Sequence, residues 1–366
     1  MPIQRRAGAV GARWFVSKWG SADRVIPSRA MTGPETETGP WPWLLAGDQS
    51  HVHDIAPALL ERLAALIGPA LVRYLLPDTD MVLADGEVTQ SRLMNRFRRA
   101  DGLRWARHAA DHGVKVICLK GLAAAYLFYP DPDLRVMSDA DLLVASAEHG
   151  RLVALYQAAG LHFYQAEARS PWGFISDASL LPLTSADGAS NIDLHVHPDA
   201  WPLHLGLSSA DVFAAARSIA TADGDIWVPS VSHMLLLSAS HAARDLFGPS
   251  TAKSLIDAAR LLRQSGGEVD WREFEERLRP GRVEKPVRAF LAILKRLGAD
   301  TRAVPEHLTR AGGAEFERAV ADYAAFFPTD AGTLARARRE MLLCAEPGVA
   351  MRRNWQRLTG LLHPRG

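Results

Sequence analysis

The chain has 366 residues, 48% hydrophobic and 23% charged, enough apolar content for one large domain or two ordinary ones. Lys and Arg number 42 against 41 Asp and Glu, and a net charge of +1 argues against a coat for long nucleic acid or a polybasic membrane anchor. The two cysteines, Cys118 and Cys344, sit in separate apolar runs and read as buried thiols, which excludes a disulfide scaffold and a four-cysteine zinc site.

Residues 1–45 read as a flexible tail or linker, because Met31 to Pro40 is rich in turn formers and almost free of apolar residues. Gly, Arg and Lys interrupt the stretch after Arg5 and Arg6, and no apolar run reaches the roughly 18–20 residues of a spanning helix. A cytoplasmic protein without membrane contact is the expectation. Residues 46–113 form a helical region in which Ala58, Leu59, Leu63, Leu66, Leu71 and Leu75 recur at threes and fours, followed by Leu93, Phe97, Leu103 and Trp105. Val114 to Leu119 predicts a buried strand, closed by Lys120-Gly121 and followed by a helix from Leu122 to Phe128. Strands follow at Ala140–Val144 and Leu161–Ala166, with a helix over 147–159 between them. Ser179–Thr184 and Asn191–His197 predict an antiparallel pair, and Ile226–Val228 a last strand. The remainder is helical. The fold class is α+β: an α/β core over 114–229 between N-terminal helices and a helical domain over 230–366.

Two acids stand two residues apart in Ser138-Asp139-Ala140-Asp141, at the mouth of a strand. Strand side chains alternate, so Asp139 and Asp141 share one face while Ala140, Leu142 and Val144 take the other. Asn191 to His197 repeats the pattern, with Asp193, His195 and His197 opposite Ile192, Leu194 and Val196. Like charges this close call for a cation, and hard oxygen ligands suit Mg²⁺ or Mn²⁺. If the two strands are neighbours, three carboxylates converge as two-metal phosphoryl transfer requires. A strand ending in Lys120-Gly121 and opening into a helix offers free backbone N–H groups to phosphates, with Lys120 and Arg135 adding charge. Each piece also has a plain structural reading: a solvated strand end, a tight-turn glycine, surface cations.

The run Leu119-Lys120-Gly121, Tyr129-Pro130-Asp131-Pro132, Leu134-Arg135, Ser138 to Val144 and Ile192-Asp193-Leu194-His195 resembles the bacterial uncharacterised nucleotidyltransferase family. That family belongs to the DNA-polymerase-β-like superfamily, and the resemblance spans about residues 50–265. It implies a minimal mixed sheet in which Asp139 and Asp141 bind both metal ions. Asp193 then binds the catalytic one and helps deprotonate the acceptor hydroxyl. Lys120, Gly121, Arg135, Ser138, His195 and Lys253 become nucleotide contacts. The implied reaction is transfer of a nucleoside monophosphate from a nucleoside triphosphate, with pyrophosphate released. A peptide or protein acceptor is favoured, with a small molecule or an RNA end also compatible. Leu122 stands where the superfamily has Gly or Ser, and Val196-His197 where relatives carry Trp-Arg.

Other readings compete. A catalytically inactive binding or antitoxin-type protein would keep the fold without chemistry. A kinase or hydrolase lacks any Walker or kinase-loop motif here. Lys253 and Asp257 form a helical i,i+4 pair as readily as Lys253 reaches a nucleotide, and His241 and Arg244 flank the same cleft. His195, His197 and His204 suggest zinc, and Trp172 a base-stacking platform.

Overall fold

The computed structural model describes residues 57–77, 83–164, 178–248, 250–310, 313–325 and 333–362. The tail reading of residues 1–45 and the loop carrying Trp172 fall outside them. Two short helices, α1 (Pro57–Ile67) and α2 (Pro69–Leu75), begin at prolines, whose fixed φ and missing N–H suit a first helical turn. Their Leu63, Leu71 and Leu75 enter the core as the periodicity predicts. The long helix α3 (Asp85–Asp111) does so over its second half, burying Leu103, Trp105 and Ala109. Leu93 and Phe97, part of the same helical periodicity, are instead 57% and 45% exposed. Polar contacts hold that half of the helix. Arg92 pairs with Asp131, while Arg96 and Arg99 pair with Asp133, in the turn that leads to the acidic strand.

A five-stranded mixed sheet follows. It comprises β1 (Val116–Cys118), β2 (Ala140–Val144), β3 (Leu161–Phe163), β4 (Leu183–Ser185) and β5 (Asn191–His195), in the order β1-β2-β5-β4-β3. Helix α4 (Lys120–Phe128) leaves β1, and helix α5 (His149–Ala158) separates β2 from β3. β2 pairs antiparallel to β1 and parallel to β5, and β4 is antiparallel to both β5 and β3. Every residue of β2 is buried, which explains its unbroken Leu142-Leu143-Val144 run. Helix α3 covers one face so closely that Gly102 has no room for a side chain: a Cβ there would lie 2.6 Å from Ala140 Cβ.

Helix α6 (Ser209–Ala215) carries a capping box between Ser208 and Asp211. The expected strand at Ile226–Val228 (β7) is present, paired with an unforeseen β6 (Arg217–Ile219) in a separate hairpin. Helices α7 (Val231–Arg244), α8 (Thr251–Ser265), α9 (Trp271–Leu278) and α10 (Glu284–Arg296) then pack against one another. Beyond them lie α11 (Glu306–Thr309), α12 (Ala314–Ala325), α13 (Thr333–Arg339), a π-helical turn at Glu340–Cys344 and α14 (Pro347–Leu362). One apolar core runs from Leu60 to Cys344, and the architecture is mixed α+β, as the sequence predicts. Cys118 and Cys344 are free and buried, and burial pushes the Cys118 thiol up to about 12. Among the described residues no helix is long and apolar enough to cross a membrane.

Candidate active site

The parallel pairing of β2 with β5 builds the site. Its register sets Asp141 opposite Asp193 and Leu143 opposite His195. Because side chains alternate, Asp141, Asp193 and His195 emerge on one face, while Leu142, Ile192 and Leu194 are buried in the core. Their ligand atoms lie within 4.8 Å of one another, the group among the described residues that gathers as a cation site would. His195 Nε2 stands 2.9 Å from Asp141 Oδ1 and 3.3 Å from Asp193 Oδ2. Facing two carboxylate oxygens, that nitrogen carries a proton. Asp193 Oδ1 is buried and accepts no hydrogen bond from the protein.

Lys120 completes the cluster from the other side of β2. After β1 the backbone continues the ladder, Leu119 N–H donating to the Asp141 carbonyl at 2.9 Å. Lys120 then turns through a left-handed φ of 43° into α4. Its ammonium comes back over the sheet to lie 2.5 Å from Asp141 Oδ1 and 3.4 Å from His195 Nε2. The second approach joins two donors held by one shared oxygen, so only the first is a bond. Gly121, expected to make this turn, lies instead within the first turn of α4, and a Cβ there would meet Met137 at an ordinary 3.5 Å. The left-handed residue is the lysine, an arrangement that residue types do not announce.

Burial and charge set the protonation states. Burial alone would raise the Asp141 carboxyl, but Lys120 and His195 overcome it and hold Asp141 well below the usual carboxylate range. Burial and the Asp141 charge push Asp193 up, but the hydrogen bond and charge of His195, together with the Lys120 charge, leave it lowered. Asp139, half-buried beside them, is pushed up by burial and by the Asp141 charge, with Lys120 offsetting part of this. His195 is pulled down by burial and by Lys120, yet its hydrogen bonds to Asp141 and Asp193 keep it above its ordinary value. The donor set fits a hard divalent cation: two ionised carboxylates facing each other, a third acid in electrostatic reach, and one carboxylate oxygen without a partner.

The remaining sequence candidates spread around this centre. Ser138 Oγ donates to Asp139 Oδ1 at 3.1 Å, on the exposed rim. Arg135 is buried, its guanidinium beside Gly121 but bound to Asp257 by Nε at 2.8 Å and Nη2 at 2.7 Å. Tyr129 adds a third bond to that carboxylate, at 2.7 Å. The expected Lys253–Asp257 pair is therefore not formed; Asp257 serves Arg135. Lys253 is lowered by burial and by the Arg135 charge, while the Asp139, Asp257 and Asp245 charges pull it up. Arg244, in the last turn of α7, binds buried Asp199 at 2.5 Å and His241 Nδ1 at 2.5 Å, and feels the charges of Asp141 and Asp193. Asp199 has no sequence signal beyond following a proline, so pattern reading passes over it. His197 stacks on His204 at 4.6 Å, and among the described residues the three-histidine zinc set does not assemble. A cavity of about 410 Å³ lined by Phe97, Arg104, Trp105 and Ser190 lies on the α3 side of the sheet and touches none of the three acids.

A carboxylate pair matched across parallel strands, next to a helix start that carries a cation, is an arrangement that a metal-dependent nucleotidyltransferase can use. Residues 40–299 match the family model described as uncharacterised nucleotidyltransferase, and the chain belongs to that family. No curated protein matches the sequence.

Proposed function

We propose that the chain moves a nucleoside monophosphate from a nucleoside triphosphate to an acceptor hydroxyl, with release of pyrophosphate. The observation that carries this reading is the Asp141–Asp193 register, which brings together two ionised carboxylates, one of them with an unpartnered oxygen. In it, Asp139, Asp141 and Asp193 hold Mg²⁺ or Mn²⁺. The bound cation would neutralise phosphate charge and favour loss of the acceptor proton. Asp193, the nearest carboxylate with a spare oxygen, takes that proton. In this reading Lys120, Lys253, Arg244 and the first-turn N–H groups of α4 around Gly121 supply positive charge and donors to the phosphates. Ser138 lies at the rim where a ribose or base would pass. His195 holds Asp141 and Asp193 in place through Nε2, a positioning role. Arg135, fixed by Asp257, contributes charge rather than free donors.

Residues 114–229 act in this reading as the catalytic core, and 230–366 as the helical wall of the cleft. A peptide or protein hydroxyl in the cytoplasm is the favoured acceptor, and a net charge of +1 argues against long nucleic acid. A non-catalytic binding protein is the second reading. It draws support from the Lys120–Asp141 bond, an internal cation where a metal ion would bind.

The test is incubation with Mg²⁺ or Mn²⁺, each α-³²P-labelled nucleoside triphosphate and a cell extract as acceptor source. Label moving to a protein, peptide or RNA with wild type, but not with Asp139→Ala/Asp141→Ala, supports transfer and identifies the acceptor class. Nucleotide binding at neither protein leaves only the non-catalytic reading.

A further inference from the structure

Lys120 does something a phosphate contact alone does not require. Its ammonium already has a partner, 2.5 Å away, and that partner is the Asp141 oxygen that also meets His195 Nε2. The side chain is 21% exposed, so the bond is sheltered yet open on one side. It springs from a left-handed backbone, φ 43°, that a residue with a Cβ adopts only at a cost. The Arg135–Asp257 pair nearby shows what a fixed structural ion pair looks like here: planar, two-pronged and buried on both sides. The Lys120 contact is instead single-pronged, on a flexible four-carbon stem.

A divalent cation held by Asp141 would take a carboxylate oxygen as its ligand. It would draw on the same lone pairs as the ammonium and repel it at close range. Resting on the reading that the carboxylates hold a cation, we propose that Lys120 is a built-in counter-ion of Asp141, displaced by the divalent cation as it binds. The lysine then sets the cation affinity of the centre. Without the cation it keeps Asp141 and Asp193 from repelling each other. With the cation in place, its freed ammonium is released on the side from which a triphosphate approaches.

The experiment measures free Mn²⁺ by electron paramagnetic resonance during titration of the full chain, without nucleotide. Lys120→Met removes the competing charge and keeps the stem. It is expected to bind Mn²⁺ about tenfold more tightly than wild type. Equal or weaker binding overturns the proposal. If the variant does not fold, the wild type decides: Mn²⁺ should raise the rate of Lys120 reductive methylation, read by mass spectrometry, several-fold. An unchanged or slower rate overturns the proposal. A wild type that binds Mn²⁺ and transfers nucleotide while these readouts fail loses the counter-ion and keeps the transferase. One that binds no Mn²⁺ loses both.

Discussion

Asp257 has a carboxylate that meets three donor atoms from Arg135 and Tyr129, and both members of the ion pair are more than nine-tenths buried. Removing one partner of a buried pair leaves the other charged and unsolvated, which costs far more than the pair itself contributes. Asp257→Ala should therefore destabilise the chain by about 3–5 kcal/mol in urea denaturation, and Arg135→Met/Asp257→Leu should recover most of that. A loss below about 1 kcal/mol would mean the pair is solvated and Arg135 is free for a ligand. Asp257 was legible as a helical neighbour of Lys253, four residues away. That it serves Arg135 was not, because the partner lies 122 residues off in the chain.

At the scale of elements, the closest approach of α3 to β2 is the contact that seats the acidic strand. Gly102 lies inside a 27-residue helix, where Ala would be favoured by about 1 kcal/mol on propensity alone. The Cβ it would add, 2.6 Å from the Ala140 Cβ, meets an atom anchored to the backbone of β2 and unable to swing away. Packing should win: Gly102→Ala is expected to lose about 1–3 kcal/mol by denaturation, with a matching fall in any nucleotide transfer as β2 shifts. A gain in stability would show that helix and strand separate without cost. A second joint lies between α7 and α8, where Leu246 and Phe247 both take left-handed φ values of 56° and 49°. Arg339 donates to both their carbonyls, at 3.3 and 3.2 Å, so α13 fixes the turn joining the helices of Arg244 and Lys253.

For the whole molecule, pH and metal give two further expectations. Burial lowers His241 from 6.5 to about 4, with Arg244 and Lys120 reinforcing it and Asp245 and Asp199 opposing. Between those values the unfolded chain takes up a proton that the folded chain refuses. This contribution to stability is present above pH 6.5 and lost as pH falls toward 4. The denaturation midpoint should drop over that window, and drop less in His241→Gln; equal slopes would remove His241 as the cause. Millimolar Mn²⁺ should raise the melting temperature of wild type by a few degrees, since a ligand at about 100 times its Kd adds about 2.7 kcal/mol. Asp141→Ala/Asp193→Ala should not respond, and a response from it would place the cation elsewhere.

Periodicity and alternation are properties of neighbouring residues, so the sequence by itself determined the acidic strand, the second acid-bearing strand and the mixed α+β class. It also determined the family, through the order and spacing of Lys120-Gly121, Asp139-Ala140-Asp141 and Asp193-Leu194-His195. Which strand lies beside which is decided by burial of both faces of β2, and that sets Asp141 against Asp193. The tertiary structure alone decided that Lys120 takes the left-handed turn, that His195 Nε2 faces two carboxylates, and that Arg135 is bound to Asp257. Each of these depends on which charges share a buried space, and local sequence pattern carries no information on that.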